Sequence, residues 1–226
     1  CLHIIIKKMR LVLFDLDDTL FNGDTEAEWV FYMINNGLIK DQQEFETSME
    51  NFEKLYRKGE LDVLQYSKFL LSPLKGRSLS SLNHKIEEFA KTVSDKLSDK
   101  LTIKLLNKHK LDQKILTSGS LSFLVNKIAL NLGIEQSFGT DAELSNDIFT
   151  GAVSGIPNFS DEKVRRIKTW MNSKDFETIY AYSDSIFDLP LLNYADVPIA
   201  VNPDKKLRKE AEKNSWTIED SRADYS

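Results

Sequence analysis

Hydrophobic and polar residues follow two kinds of pattern along this chain of 226 residues. Short apolar runs predict buried parallel strands, and they cover residues 10–15, 113–117, 178–182 and 197–201. Segments in which apolar residues recur every three or four positions predict helices, and they cover residues 24–93, 101–106, 120–132 and 161–171. Because strands and helices alternate, the pattern predicts an α/β fold around a parallel sheet.

The longest helical stretch, residues 24–93, directly follows the first strand and contains no convincing strand pattern. It therefore predicts an all-helical insert of about 70 residues. A different local signal lies near residue 146, where Asn146 and Asp147 separate two short apolar segments. Asn and Asp tolerate the left-handed backbone of a two-residue turn, so this segment predicts a small β-hairpin.

The length and composition suit one medium folded domain, or a core domain with a smaller inserted one. Hydrophobic residues make up 41% of the chain and charged residues 29%, which excludes a disordered type. The formal charge of −5 and the even spread of Lys and Arg give no reason to expect a nucleic-acid partner. No apolar run reaches membrane-spanning length, so we expect no membrane partner.

The first eight residues differ from the rest of the chain. Cys1 is the single cysteine, which excludes an internal disulfide and is typical of a reducing compartment, so we expect a cytoplasmic location. The apolar run Ile4–Ile6 is too short for a signal core, and Met9 is a natural start before the first strand. We therefore interpret residues 1–8 as an N-terminal extension, with a lipid-anchored Cys1 as the alternative.

Two carboxylates follow the first predicted strand immediately. The apolar run 11–14 leads into Asp15, and Asp17 comes two positions later. The carboxyl ends of strands in open α/β sheets are where ligands bind. Two such close carboxylates repel each other unless a cation lies between them or they share a proton. The alternative is a pair of solvated loop residues, one of which caps the next helix.

Later strands also end in residues suited to a phosphate or a metal. The strand at 113–117 leads into Ser118, whose hydroxyl and neighbouring N–H groups suit a phosphate oxygen, although Ser118 suits a simple helix N-cap equally well. The strand at 178–182 leads into Asp184, a candidate metal ligand, and Asp188, which is either a second acid of the site or a helix cap. Lys163 begins the preceding helix, and taken alone it suits a solvated surface charge.

The ordered set of these residues is much more specific than its members. The segments Phe14–Leu20, Thr117–Ser120, Glu162–Arg166 and Tyr182–Leu192 together resemble the haloacid dehalogenase (HAD) superfamily. Within it, the match is to the phosphoserine-phosphatase-like branch, subfamily IB, which has a helical C1-type cap. The resemblance spans residues 10–201.

The resemblance implies a fold and a division into domains. The fold is α/β, with a three-layer, parallel-sheet, Rossmann-like HAD core and an inserted all-helical cap. Residues 9–23 and 94–226 would form the core, and residues 24–93 would form the cap. The implied activity is that of a phosphatase, a phosphoric monoester hydrolase.

The resemblance also implies a role for each motif residue. Asp15 is the nucleophile that carries a phospho-aspartate, and Asp17 is the acid and base that protonates the leaving alcohol and then activates water. Mg²⁺ is held by Asp15, the backbone carbonyl of Asp17 and Asp184, with Asp188 in support. A cation of this kind fits elementary electrostatics, since a phosphate dianion approaches carboxylates only when a cation screens them.

Phosphate contacts are implied for a second group of residues. Ser118, Gly119 and nearby N–H groups would hold the phosphoryl oxygens, and Lys163 would offset the charge near Asp15. Ser118 and Lys163 therefore join the two aspartates as candidate catalytic residues. The implied substrate is a small phosphorylated metabolite, similar to phosphoserine or histidinol phosphate.

The resemblance to phosphoserine phosphatases is weaker at the positions that would select the substrate. Phosphoserine enzymes carry a glutamate nine residues after the nucleophile, where this chain has Asp24. The segment Gly23–Trp29 is more similar to bacterial relatives, some of them assigned to histidinol phosphate. Asp24 and Trp29 are therefore candidates for contacting a substrate amine or ring, and the alternatives are a helix cap and a buried aromatic residue of the cap.

Four other functions remain open at this point. A phosphotransferase or phosphomutase shares the aspartyl-phosphate step, and phosphatidylglycerophosphate phosphatases occur nearby in the same superfamily. A receiver-type signalling module also phosphorylates an aspartate, but Asp17 and the large insert favour turnover. A non-catalytic scaffold on the same fold is the last alternative, because a fold does not determine a function.

Overall fold

The computed structural model describes residues 9–172 and 174–220. In chain order, its strands are β1 (Arg10–Phe14), β2 (Gln113–Leu121), β3 (Gln136–Thr140), β4 (Ala142–Ser145), β5 (Ile148–Val153), β6 (Thr178–Ser183), β7 (Val197–Val201) and β8 (Thr217–Glu219). Six of them form one parallel sheet in the order β3-β2-β1-β6-β7-β8. The strands β4 and β5 form a separate antiparallel hairpin.

The helices provide the other layers and the cap. In chain order they are α1 (Thr25–Asn35), α2 (Gln42–Lys58), α3 (Val63–Leu71), α4 (Leu79–Leu97), α5 (Lys100–Lys108), α6 (Ser122–Asn131), α7 (Asp161–Met171), α8 (Leu189–Tyr194) and α9 (Lys205–Lys213). No helix in the described residues is both long and apolar enough to cross a membrane.

The sheet is covered on both faces because successive residues of a strand point to opposite sides. On one face, Val12 and Phe14 of β1 belong to a core that includes buried residues of α4, α5 and α6. On the other face, Leu11 and Leu13 belong to a second core with α7, α8 and α9. All four residues are fully buried, which explains the continuous apolar run in the sequence. The predicted three-layer α/β fold is therefore confirmed.

Each helix of the insert begins at a residue whose side chain accepts a hydrogen bond from a free backbone N–H. These N-cap residues are Asp24, Asp41, Asp62 and Ser78. Such caps satisfy donors that the first helical turn leaves unpaired, and each typically contributes about 1 kcal/mol. Residues 24–93, all of which the structure describes, contain helices and no strand, as predicted. The predicted boundary after residue 93 lies inside α4, which continues to Leu97.

The predicted hairpin is confirmed, and it attaches the cap to the core. Asn146 and Asp147 both have positive φ, as a two-residue hairpin turn requires. The carbonyl of Asp147 accepts from the N–H of Leu79 at 2.8 Å, and that of Phe149 accepts from the N–H of Gly76 at 2.8 Å. The Asp147 carboxylate also accepts from two serine hydroxyls that flank the start of α4.

The sequence patterns missed some elements and misplaced one boundary. The strands β3 and β8 and the helix α9 were not predicted. A helix was predicted from residue 120, whereas β2 continues to Leu121 and α6 begins at Ser122. The interpretation of residues 1–8 as an extension, with its lipid-anchored alternative, concerns residues outside the described part of the chain.

Candidate active site

The chain turns sharply where β1 ends. The backbone N–H of Asp15 donates to the carbonyl of Tyr182 in β6 at 3.0 Å, so Asp15 is still held by the sheet. Residues Leu16–Leu20 then form a wide turn that is not helical at Asp17 and Asp18, and Asp18 has a φ of 53°. Aspartate tolerates this left-handed backbone better than most residues do. As a result, Asp15 and Asp17 both line the same cavity.

Lys163 joins two of the predicted carboxylates. Its Nζ lies 2.7 Å from Oδ1 of Asp15 and 2.7 Å from Oδ2 of Asp188. The same Asp188 oxygen accepts from the hydroxyl of Ser183 at 2.8 Å. Lys163 is only 3% exposed and Asp15 only 7% exposed, so these charges interact in a site shielded from water.

Burial changes the ionisation of this pair. Burial raises the pKa of Asp15 to about 6, and the Lys163 ammonium limits that rise. For Lys163, burial alone would lower the pKa, but the charges of Asp15 and Asp188 outweigh it and raise the pKa above its usual value. The lysine therefore remains charged and favours the ionised form of Asp15 at neutral pH.

The side chain of Asp17 is bonded to the end of β2, whereas that of Asp15 is bonded to Lys163. Its Oδ2 accepts from the hydroxyls of Ser120 at 3.1 Å and Ser118 at 3.3 Å, and its Oδ1 accepts from the N–H of Thr25 at 2.6 Å. Burial, followed by the nearby charge of Asp24, raises the pKa of Asp17 to about 7. A carboxyl group with this pKa can both donate and accept a proton near neutral pH.

Asp184 approaches the site from the end of β6. Its Oδ1 accepts from the hydroxyl of Thr19 at 3.0 Å. Burial, together with the charges of Asp15 and Asp18, raises the pKa of Asp184 well above its usual value. Lys163, the one cation among the described residues that line the cavity, is bonded to Asp15 and Asp188 and not to Asp184.

A cavity of about 770 Å³ lies between this edge of the sheet and the cap. Its core end is polar and is formed by Asp15, Asp17, Asp18, Ser118, Gly119, Ser120, Lys163, Asp184 and Asp188. Its cap end is mainly apolar and aromatic and includes Val30, Phe31, Ile34, Met49, Phe52, Tyr56, Leu61, Val63 and Tyr66. At the mouth, the hydroxyl of Tyr56 lies 3.3 Å from Oγ of Ser185, and the ring of Tyr56 lies 5.1 Å from that of Phe187.

The charges in the cavity are unevenly distributed. Five acids line its cap end, namely Asp24, Glu26, Glu46, Glu50 and Glu53. Among the described residues that line the cavity, Lys163 is the only cation. The pKa of Glu26 is raised well above its usual value by burial, and further by the charges of Asp24 and Asp17. Glu50 and Glu53 are paired with Lys54 and Arg57 of α2, so the cap end is acidic but part of its charge is compensated from outside the cavity.

Comparison with known proteins identifies the family. The model of the haloacid dehalogenase-like hydrolases matches residues 12–193, which include the motif residues described above. The chain belongs to the HAD hydrolase family.

Relatives of this HAD protein include phosphatases. The chain is 34% identical over 218 residues to a histidinol-phosphatase of Neisseria meningitidis, which covers 92% of this chain and 97% of that protein. It is 29% identical over 227 residues to a phosphoserine phosphatase of Mycobacterium tuberculosis, which covers 92% and 70% of the two chains. A solved structure from Bordetella pertussis, of a protein with unknown function, has a TM-score of 0.86 at 31% identity and covers 94% and 99% of the two chains. The chain is a HAD-type phosphatase.

The HAD core brings the sequence-predicted residues together at one edge of the sheet. Three of the simpler alternatives do not hold in the structure. The side chain of Ser118 does not cap α6, because the N-cap of α6 is Leu121. The side chain of Asp188 makes no capping bond to α8 and instead binds Lys163, which is not a solvated surface charge.

Asp24 and Trp29, the two cap residues predicted to contact the substrate, lie in different environments. Asp24 lines the cavity, but its Oδ1 also accepts from the N–H groups of Glu26 and Ala27 as the N-cap of α1. Trp29 is fully buried, does not line the cavity, and packs against Phe89 with ring centroids 4.9 Å apart. The hypothesis that Trp29 contacts the substrate is therefore corrected: its large ring is part of the cap interior.

Four other residues at or beside this HAD site were not predicted from the sequence. Thr19 and Ser120 lie within the motif segments, but no role was assigned to their hydroxyls. Glu26 lies only two residues after Asp24, and its position at the cavity depends on how α1 is oriented. Asn158, a fully buried side chain beside Ser118, carried no recognisable signal.

Proposed function

We propose that this protein is a Mg²⁺-dependent phosphomonoesterase that acts on a small phosphorylated metabolite through a phospho-Asp15 intermediate. The main support is that Asp15 and Asp17 line one cavity, but Asp15 has a charged hydrogen-bond partner and Asp17 has only neutral ones among the described residues. Asp15 is held by the Lys163 ammonium, whereas Asp17 is held by neutral donors and has a raised pKa. Such a pair separates a nucleophile from a proton donor by environment alone.

In the first half-reaction, a carboxylate oxygen of Asp15 attacks phosphorus and the bond to the ester oxygen breaks. Asp17 in its protonated form delivers its proton to the departing alcohol, so that an alkoxide does not have to leave. Ser118 and Gly119 are in place to contact the phosphoryl oxygens, and Lys163 offsets the negative charge beside Asp15. Covalent catalysis of this kind divides a difficult displacement into two easier steps.

In the second half-reaction, a water molecule attacks the phosphorus of phospho-Asp15. Asp17, now ionised, accepts a proton from that water, and the acyl-phosphate bond breaks to release inorganic phosphate and free Asp15. The cap covers the cavity during both steps and limits access of bulk water.

The site also fits a divalent cation with oxygen ligands. Among the described residues there is no group of three or more His, Cys, Asp or Glu side chains that could hold a metal by themselves. Mg²⁺ does not require one, because it usually binds one or two carboxylates and keeps several waters. Asp15, Asp184 and the backbone carbonyl of Asp17 would hold it, with Asp188 in support through Lys163. When bound, the cation supplies Lewis-acid stabilisation of phosphoryl charge.

Metal dependence gives the first test. Chelation with EDTA is expected to abolish phosphate release, and added MgCl₂ is expected to restore it. Asp184→Asn removes one carboxylate from the proposed cation site and is expected to raise the Mg²⁺ concentration for half-maximal activity by at least about 10- to 100-fold. The measurement is phosphate release from a panel of phosphorylated metabolites as a function of MgCl₂.

A matched control separates this effect from a general loss of charge. Asp196 lies near the opposite ends of the strands, where its Oδ2 accepts from the N–H of Ile179 at the start of β6. Asp196→Asn is expected to leave the Mg²⁺ dependence unchanged. Full activity in EDTA, or equal effects of the two substitutions, would contradict the metal assignment.

The cap end of the cavity favours a substrate with a cationic group and no carboxylate. Phosphoserine carries a carboxylate, which would meet acids and no described lining cation at the cap end of this cavity. Histidinol phosphate carries an amine and an imidazole ring, which suit the acidic and aromatic surfaces of the cap. We therefore propose an amino-alkyl phosphate similar to histidinol phosphate as the substrate, in preference to phosphoserine.

Glu26 is the cap acid best placed to bind such an amine. It lies deeper than the acids of α2, which are exposed, and Tyr66 also lines its part of the cavity. Glu26→Gln is expected to raise KM for histidinol phosphate about tenfold, the value of one charge-assisted hydrogen bond, with little change in kcat. Activity on p-nitrophenyl phosphate, which has no amine, is expected to change little.

Glu50 provides the control for this prediction. It also lines the cavity, but it is exposed and lies 3.9 Å from Nζ of Lys54. Glu50→Gln is expected to leave both substrates nearly unaffected, because exposed charges are screened by solvent. An equal loss of activity on both substrates in Glu26→Gln would indicate a defect in folding and not in selectivity.

A further inference from the structure

The end of β2 leaves the regular ladder of the sheet. Thr117 pairs with Phe138, and the next pair is Leu121 with Thr140. Three residues of β2, Ser118–Ser120, therefore lie opposite one residue of β3, Gly139. We call Ser118–Ser120 the β2 bulge. Residues in a bulge lose their ladder partners, so their backbone groups need other ones.

Gly139 makes room for the β2 bulge. A Cβ atom at this position would lie 2.6 Å from the carbonyl oxygen of Ser120 and 2.7 Å from Cα of Ser122. Both neighbours are backbone atoms and cannot move aside without displacing the bulge. The close approach therefore requires glycine at this position of β3.

Two side chains from outside β2 take the place of the missing ladder bonds. Nδ2 of Asn158 lies 2.9 Å from the carbonyl oxygen of Ser118, and the hydroxyl of Thr140 donates to the carbonyl of Gly119 at 2.6 Å. The backbone N–H of Asn158 donates to that same Thr140 hydroxyl at 3.0 Å. Asn158 and Thr140 thus bind the carbonyl groups on both sides of Gly119.

The chemistry around Asn158 determines its orientation. Its Nδ2 faces the carbonyl oxygens of Ser118 and Phe138, at 2.9 Å and 3.2 Å, and these oxygens can only accept hydrogen bonds. Its Oδ1 has no hydrogen-bond partner among the described residues, although the residue is fully buried. The side chain therefore acts through its NH₂ group alone.

The bond to Ser118 has a consequence for the cavity. A trans peptide is planar, so its C=O and N–H point in opposite directions. Because the carbonyl of Ser118 points to the buried Asn158, the N–H of Gly119 in the same peptide points away from Asn158. Gly119 lines the cavity, where that N–H is available to an anion.

We propose that Asn158 is the positioning residue of the phosphate site: it orients the Ser118–Gly119 peptide so that the β2 bulge presents the N–H of Gly119 to a phosphoryl oxygen. This inference rests on the proposed function, because it assigns a phosphate to the β2 bulge. Asn158 does not touch the substrate. It acts through the bulge, and Thr140 assists it from β3.

The test measures binding of inorganic phosphate by isothermal titration calorimetry in the presence of MgCl₂. Asn158→Ala is expected to raise the Kd for phosphate about tenfold, because the carbonyl of Ser118 loses its donor and the peptide is free to reorient. Mg²⁺ binding, measured without phosphate, is expected to stay within about twofold of the wild type, since the proposed ligands follow β1 and β6 and none of them belongs to β2. Asn158→Asp has the same shape but places an oxygen against two carbonyl groups, so an equal or larger loss is expected.

Two further variants keep the test decisive if Asn158→Asp does not fold. Thr140→Val keeps the shape of the side chain and removes the bond to Gly119, so it is also expected to weaken phosphate binding. Leu105→Ala removes a buried side chain of α5 that does not line the cavity. It is expected to lower Tm without changing the Kd for phosphate.

The outcomes distinguish this inference from the proposed function. If the wild type binds phosphate and both Asn158→Ala and Thr140→Val bind it equally well, with only a lower Tm, Asn158 is structural and the inference is wrong. If the wild type with Mg²⁺ binds no phosphate, the proposed function fails, and the inference fails with it.

Discussion

Asp15→Asn is expected to reduce phosphate release to the background rate. The amide cannot attack phosphorus as a carboxylate does, so no phosphoenzyme forms and neither half-reaction proceeds. Loss of the nucleophile in a well-studied serine protease costs about 10⁶-fold in kcat, and a loss of similar size is expected here. The measurements are the steady-state rate with MgCl₂ and the intact mass of the protein after mixing with an aryl phosphate.

The neighbouring aspartate supplies the control. Asp18 lies in the same turn with a φ of 53°, a backbone conformation that asparagine tolerates as well as aspartate does. Asp18→Asn is expected to keep most of the turnover, whereas Asp15→Asn loses it with a similar Tm. Substantial turnover in Asp15→Asn, or a phosphate label that maps to a serine, would show that Asp15 is not the nucleophile.

Asp17→Asn is expected to slow both half-reactions while leaving the nucleophile in place. Loss of general acid–base assistance typically costs about 10²- to 10⁴-fold. The side-chain oxygen of the asparagine can still accept from the N–H of Thr25, and its NH₂ group can donate to the hydroxyls of Ser118 and Ser120. The local structure is therefore expected to survive, so that the loss reports on proton transfer.

An activated substrate separates the two half-reactions of Asp17→Asn. The leaving group of an aryl phosphate needs little protonation, so attack by Asp15 suffers less than hydrolysis of the acyl phosphate. Phospho-Asp15 is then expected to accumulate as an acid-stable, hydroxylamine-labile increase in mass. Normal turnover in this variant would rule out Asp17 as the acid and base.

The sequence predicted the parts of the fold that depend on local patterns. The buried strands β1, β6 and β7 appear as apolar runs because both faces of the sheet are covered. The hairpin was predicted because Asn146 and Asp147 suit its turn. By contrast, the strand β3 has few apolar residues and lies at the edge of the sheet, so its pattern is weak.

Features that depend on distant contacts were not predicted. The end of β2 was expected at Thr117, because polar residues follow it, yet the strand continues through a bulge whose partners come from Asn158 and Thr140. Trp29 has the spacing of a helical apolar residue, which does not distinguish a cavity wall from a buried core. Lys163 alone resembled a surface charge, and only its place in the ordered set of motifs indicated a role.

The two sides of the cap are attached to the core with unequal strength. Near the hairpin, backbone hydrogen bonds at Gly76 and Leu79 join the two parts. Near α2, the contacts recorded between described side chains at the mouth are those of Tyr56, whose hydroxyl and ring meet Ser185 and Phe187. A neutral hydrogen bond and a ring contact are each worth about 1 kcal/mol, so this side separates at low cost. The least costly opening is a hinge motion about the hairpin, which places the entrance for substrate and the exit for phosphate beside Tyr56.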